Sequence, residues 1–234
     1  MIYVGRRNAS DTRQEASAVG GFAGMIRILI ADDHAVVRQG LRHVLASEHD
    51  IEISGEASNA QELFDLLRKK SWDVVVLDIS LPGLSGLEVL KELKQKWPKL
   101  PVVIFTMHDE DHFGLRAMRA GAAGYLTKDR PPIDLIKAIR KVVTGGRYVS
   151  SSLAEQLEGQ TVAENEQTLH QMLSDREFQV LRLISSGKTV TEVAQELSLS
   201  VKTVSTYRAR ILQKLGYRTT AELIQYAIRN QLTL

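Results

Sequence analysis

Four apolar runs end in groups that can do chemistry together. Asp32 and Asp33 follow Ile28-Leu29-Ile30-Ala31, Asp78 follows Val74-Val75-Val76-Leu77, Thr106 follows Val102-Val103-Ile104-Phe105, and Lys128 follows Gly124-Tyr125-Leu126-Thr127. If the runs are strands of one parallel sheet, all five groups meet on one rim, because ligands of open sheets collect beyond the carboxyl ends of the strands. Three carboxylates there repel by about 4 kcal/mol for each pair roughly 4 Å apart at an effective dielectric near 20. A hard divalent cation offsets that repulsion, and Mg²⁺ suits a site of carboxylate oxygens that keeps some of its waters. An ionised Asp78 can then attack phosphorus in line and become an aspartyl phosphate. Lys128 is the cation facing the transferring oxygens and Thr106 the hydroxyl partner. Each residue also has an ordinary reading, Asp32 or Asp33 as the cap of a following helix, Asp78 as a turn residue, Lys128 as a solvated charge. Coincidence at four strand ends favours the site, and Asp33 is expected to serve both as ligand and as cap.

The elements that must position these groups follow from periodicity. Apolar runs at 26–31, 51–55, 73–78, 102–106 and 124–128 alternate with stretches whose apolar residues recur at three and four, such as Val37/Leu41/Val44/Leu45 and Leu63/Leu66/Leu67. Five strands separated by helices predict an α/β domain over 25–149, a doubly wound five-stranded parallel sheet, with the 73–78 strand covered on both faces. Asp129-Arg130-Pro131-Pro132 starts the last helix of that domain, where a first turn needs no amide donors. Residues 1–24 lack apolar periodicity and are expected to be a disordered extension, or to precede a true start at Met25.

The net charge of +2 is unevenly placed. Residues 150–170 are polar and carry Glu155, Glu158, Glu164 and Glu166 with no Lys or Arg, so they are assigned as an acidic linker with partial helix at most. Residues 171–234 carry the basic excess expected of a nucleic-acid-binding module. The absence of cysteine excludes disulfides and thiolate chemistry, and no apolar run is long enough to span a membrane. A cytoplasmic protein with no membrane partner is the expectation.

The last 64 or so residues contain no proline and read as a small all-α domain of four helices. Ser174 or Asp175 caps a first helix carrying Phe178, Val180, Leu181 and Ile184. A second helix begins near Val190, and Ser198-Leu199-Ser200 is a short turn before a third from Val201 to Leu215. Two helices joined so tightly have the spacing of a helix-turn-helix. On the third helix Val204, Ile211 and Leu215 share one side, while Lys202, Thr206, Ala209 and Gln213 face away. Lys202, Thr203, Ser205, Thr206 and Ala209 are the candidates for reaching base edges, with Arg210 as a phosphate contact. Arg208 and Lys214 project nearer the packed face, which favours an intramolecular role or a backbone phosphate. The last helix, with Ala221, Leu223, Ile224, Ala227 and Ile228, offers a dimer surface or serves the domain's own core.

Taken together, Ile28-Leu29-Ile30-Ala31-Asp32-Asp33-His34, Leu77-Asp78-Ile79-Ser80-Leu81-Pro82-Gly83, Phe105-Thr106-Met107 and Gly124-Tyr125-Leu126-Thr127-Lys128-Asp129 resemble receiver domains, which are flavodoxin-like. Leu173-Ser174-Asp175-Arg176-Glu177, Lys202-Thr203-Val204 and Ile211-Leu212-Gln213-Lys214-Leu215 resemble the LuxR-type helix-turn-helix. The joined chain resembles the NarL/FixJ family of two-component response regulators. That resemblance implies phosphotransfer from a histidine kinase to Asp78, and Mg²⁺ held by Asp33, Asp78 and the backbone carbonyl of Ser80 with Asp32 assisting. It further implies that Thr106 and Tyr125 move after phosphorylation, Tyr125 inward, and that a homodimer binds paired DNA half-sites and controls transcription. Where many relatives have a basic residue and a histidine this chain has Ser205 and Tyr207, so operator sequence does not carry over. Two other classes make different demands. A hydrolase built on Asp78 would need a general acid and a substrate pocket, and a ligand-sensing transcription factor would not need the complete acidic site. Apart from accepting a phosphoryl group and losing it again, the chain is not expected to be an enzyme.

Overall fold

Alternation of apolar runs with amphipathic stretches gives five strands and five flanking helices in the computed structural model, which describes residues 24–159 and 169–233. The strands are β1 (Ile26–Ala31), β2 (Ile51–Ala57), β3 (Val74–Leu77), β4 (Val102–Thr106) and β5 (Gly124–Thr127). All pair parallel in the order β2-β1-β3-β4-β5. The order reverses between β1 and β3, so the chain leaves those two neighbours in opposite directions and a crevice opens at their carboxyl ends. The rim read from the sequence is therefore real, with β3 buried at every position and central.

Helices α1 (Ala35–Leu45) and α5 (Pro132–Val143) cover one face through Leu41, Leu45, Leu135, Ile139 and Val142. Helices α2 (Ala60–Lys69), α3 (Gly86–Lys96) and α4 (Glu110–Arg119) cover the other. Local chemistry fixes where they start. Asn59 accepts from the Glu62 amide and Asp109 from the His112 amide, while Ser85 and Glu88 form a capping box. Pro132 opens α5 at its first position, as the two prolines require. Four strand ends shift by a residue or two from the sequence reading, β2 running on to Ala57 while β3 loses a residue at each end and β5 one at its end.

Within the described part of the expected linker the chain is partly helical. α6 (Ser151–Gly159) packs against α4 through the buried Leu153, and a 3-10 turn at Leu169–Met172 leads into the last domain. The first 23 residues and 160–168, where the extension, the alternative start and part of the acidic linker were placed, lie outside the described residues. α7 (Asp175–Ser185), α8 (Val190–Glu196), α9 (Val201–Leu215) and α10 (Thr220–Arg229) complete the chain. α9 ends at Gly216, whose φ of 72° is the left-handed conformation that glycine adopts without steric cost.

α7 is buried along its whole length because it packs on two sides. One side meets α9 and α10; the other meets the receiver-like domain, and a single apolar cluster runs from Phe113 and Leu153 into Phe178 and Leu181.

Candidate functional site

At the β1/β3 crevice Asp78 is 2% exposed. Lys128, delivered by the end of β5, places Nζ 2.6 Å from Asp78 Oδ2 and 2.6 Å from Asp32 Oδ2. Burial by itself would lower the pKa of Lys128, but the carboxylates of Asp78 and Asp32 outweigh it and hold the ammonium above its ordinary value. The Ser80 amide donates to Asp78 Oδ1 at 3.2 Å. Thr106 is fully buried at the end of β4, beside the crevice. The loop after Asp78 is folded so tightly that a Cβ on Gly86 would stand 2.2 Å from the Asp78 carbonyl oxygen. A cleft of about 510 Å³, walled by Val37, Leu41, Phe105 and Met107, reaches Asp78 and Lys128 from the α1/α5 side.

One donor atom from each of Asp32, Asp33, His34 and Asp78 lies within 4.8 Å of the others. This oxygen-rich set with a neighbouring backbone loop fits a divalent cation. Asp33 is exposed, and it does not cap α1. His34 holds the cap position and Asp32 Oδ1 accepts the His34 amide at 2.8 Å, because Asp32 lies close enough to close a two-residue turn.

Tyr125 is already inward, 3% exposed, and its hydroxyl donates to the carbonyls of His108 and Asp109 at 3.0 and 3.2 Å. Burial pushes its pKa up, so it remains a neutral donor. Two partners escaped the sequence reading. Ser80 Oγ is 3.1 Å from His108 Nε2, and His108 packs on Phe113 with ring centroids 4.5 Å apart. Burial lowers the His108 pKa against the opposing field of Asp78. Nothing in residue type or spacing marks His108, because it meets Ser80 only after β3 and β4 pair.

On α9, Lys202, Thr206, Ala209 and Arg210 are exposed, while Thr203 and Ser205 are half-buried. Lys202, Thr203, Thr206, Tyr207 and Arg210 line one shallow concavity. Thr206 Oγ1 donates to the Lys202 carbonyl and Thr203 is tied to the Ser200 cap, so the first turns are rigid. Val204, Ile211 and Leu215 are buried on the opposite side. Lys214 is engaged inside the domain, 2.6 Å from Glu177 Oε2, and Arg208 is half-buried with its Nε facing no acceptor among the described residues. In α10, Leu223 and Ala227 belong to the domain core, whereas Ile228 is 58% exposed.

The two sites are joined by contacts that no local pattern announces. Asp175, 5% exposed at its side chain, pairs with Lys91 of α3 at 2.7 Å and Arg116 of α4 at 3.3 Å. Arg182 pairs with Asp109 at 2.6 Å, next to the carbonyls that hold Tyr125. Arg116 lies 4.3 Å over the Phe178 ring, and Phe178 meets Phe113 edge-on at 5.3 Å. Arg176, 1% exposed, reaches back to the loop beyond Asp78.

A five-stranded sheet with this acidic rim, followed by a helix-turn-helix, defines a response regulator. Residues 28–140 match the family model of the response regulator receiver domain, and 171–227 that of the bacterial regulatory proteins of the luxR family. The chain is 37% identical over 209 residues to response regulator UvrY of Escherichia coli (strain K12), covering 89% of this chain and 96% of that one. It is 37% identical over 207 residues to response regulator GacA of Pseudomonas aeruginosa, covering 88% and 97%. The solved structure of RcsB from Salmonella enterica serovar Typhimurium bound to promoter rprA, in the presence of phosphomimetic BeF3-, matches with a TM-score of 0.59 at 28% identity, covering 87% and 98%. The chain belongs to the NarL/FixJ family of two-component response regulators, and it regulates transcription through a LuxR-type DNA-binding domain. It is not an enzyme of the ordinary kind. No helix among the described residues is long and apolar enough to cross a membrane.

Proposed function

We propose that Asp78 accepts a phosphoryl group from a sensor histidine kinase, and that the phosphorylated cytoplasmic chain dimerises on paired DNA half-sites. One observation carries the reading above the others: Lys128 bridges Asp78 and Asp32 at 2.6 Å within a crevice that an open cleft reaches. Asp78 Oδ attacks phosphorus as the bond to the kinase imidazole nitrogen breaks; the electron pair returns to that nitrogen, which takes up a proton. Lys128 stays protonated and moves with the transferring oxygens, releasing part of its hold on Asp78. Asp33, Asp78 and the Ser80 carbonyl would hold Mg²⁺, which when bound supplies positive charge against the phosphoryl oxygens. The Thr106 hydroxyl, whose oxygen accepts the His108 amide at 3.4 Å, would donate to a phosphoryl oxygen, and Tyr125, already packed inward, would report that shift through the 108–109 carbonyls.

Domain limits of 25–149 for the receiver, 150–170 for the linker and 171–234 for the DNA-binding domain suit this division of labour. The Asp78 phosphate can reach α9 through two interfacial links, Arg176 on the acceptor loop and Arg182 on Asp109. α9 then presents Lys202, Thr203, Ser205, Thr206, Ala209 and Arg210 to the groove, with Arg208 on its flank and Lys214 held inside the domain by Glu177. The RcsB promoter complex supports this use of the domain. Incubation of wild type and Asp78→Ala with Mg²⁺ and acetyl phosphate tests the reading. Acid-labile phosphate, dimerisation and DNA binding should rise in the wild type alone; uptake by Asp78→Ala, or by neither protein, sinks it.

A further inference from the structure

The phosphotransfer just described leaves one group at the acidic rim without a task. His34 sits at the start of α1, its side chain 62% exposed at the mouth of the cleft that reaches Asp78. Its amide is held by Asp32 Oδ1, and that turn brings the imidazole back over the carboxylates, Nδ1 standing 2.8 Å from Asp33 Oδ1 and 3.4 Å from Asp32 Oδ1. With Asp78 these make the four donors within 4.8 Å of one another. Ligands about 2.1 Å from one octahedral ion stand roughly 3 to 4.2 Å apart, so the four need only small side-chain adjustments to share a cation.

We propose that His34 is a nitrogen donor to this site and makes it select first-row transition cations, with Mg²⁺ as the weaker occupant. The inference rests on Asp33 and Asp78 being the metal ligands. Mg²⁺ is satisfied by oxygens and retained waters and gains little from an imidazole. Mn²⁺, Co²⁺ and Ni²⁺ accept mixed oxygen and nitrogen donors, and the gain from nitrogen grows along that series. Losing the exposed His34–Asp33 contact on binding costs little, since such pairs are screened by water. No cap hydrogen bond to α1 depends on the His34 side chain, so its contacts to Asp33 and Asp32 are what binding must rearrange. Selectivity would therefore be set by a residue outside the carboxylate set.

The test uses the full chain. Pulsed electron paramagnetic resonance of bound Mn²⁺ reads direct nitrogen coupling, and calorimetry reads Mg²⁺, Mn²⁺ and Co²⁺ affinities for wild type, His34→Ala and Asp78→Ala. The wild type should show an imidazole nitrogen on Mn²⁺. His34→Ala should lose that coupling and about tenfold in Co²⁺ affinity, less for Mn²⁺, and under about twofold for Mg²⁺. No nitrogen coupling in the wild type, or an equal loss for all three metals, overturns the role of His34. If Mg²⁺ binds normally in that case, the phosphoacceptor reading stands; if Asp78→Ala leaves every affinity unchanged, both fall.

Discussion

The guanidinium of Arg176, from the DNA-binding domain, donates to the carbonyl oxygen of Gly83 at 2.8 Å, and at 3.3 Å to that of Leu81. Both acceptors lie in the loop that leaves Asp78, so the phosphoacceptor loop of one domain is tied from the first helix of the other. Any ligand at Asp78 that shifts this loop must change the docking of α7, and docking must change the affinity for that ligand by the same factor.

Arg176→Ala should loosen that tie. The carbonyl of buried Leu81 and that of exposed Gly83 lose their donor, and for the buried one an unsatisfied group costs about 1–3 kcal/mol unless water replaces it. Docking should weaken by about tenfold or more, one factor of ten for each 1.4 kcal/mol. Hydrogen exchange should quicken in residues 79–84 and along α7 while β1 and β3 stay protected. Unchanged exchange in both segments would remove the coupling route through Arg176.

Gly86→Ala should damage the acceptor site from behind. The added carbon meets Asp78 O at 2.2 Å and Ile79 Cα at 2.6 Å, both backbone, so no rotamer relieves the clash. Overpacking of this kind costs about 1–3 kcal/mol. A lower denaturation midpoint together with slower phosphate uptake is expected, and a variant with wild-type midpoint and uptake would contradict the geometry.

Acid should weaken the contacts around His170. Burial first, then the charges of Arg116 and His112, push this imidazole down to about 4. Its ring lies 3.0 Å from the Tyr226 hydroxyl and stacks on Phe178. An unfolded histidine titrates near 6.5, so between about pH 6.5 and 4 the unfolded chain binds the extra proton and stability falls as pH falls. Melting temperatures measured across that window should drop, and His170→Gln should flatten the drop. An imidazole resonance titrating near 6.5 in the folded chain would refute the assignment.

Lys202→Ala and Arg210→Ala should each weaken binding to specific and non-specific DNA. Both cations are exposed on α9 beside the same concavity. Each lost phosphate contact reduces the slope of log affinity against log salt by about 0.9. Lys214→Ala should leave that slope nearly unchanged, because its ammonium is held by Glu177. Titrations at several salt concentrations distinguish the two behaviours.

Much of the acceptor rim is legible in the sequence because strand ends are local features. An apolar run followed by Asp, Thr or Lys says where the side chain will emerge once the run becomes a strand. The outward face of α9 is legible for the same reason, since Val204, Ile211 and Leu215 mark its inner side by spacing alone. The cap of α1 was not, because Asp32, Asp33 and His34 can each fill that position and only the backbone decides. His34 is silent in the sequence for the same reason, since only the turn closed by Asp32 brings its ring over Asp33.

By itself the sequence determined the sheet, the carboxylate cluster at its rim and the basic helix, since all three depend on periodicity and residue type within short windows. The tertiary structure decided what joins them. Asp175 between Lys91 and Arg116, Arg182 on Asp109, His108 on Ser80 and Arg176 on the acceptor loop are contacts between residues far apart in the chain. Such contacts leave no periodic trace, because each partner looks like an ordinary surface charge until packing removes it from water and requires a specific partner for it.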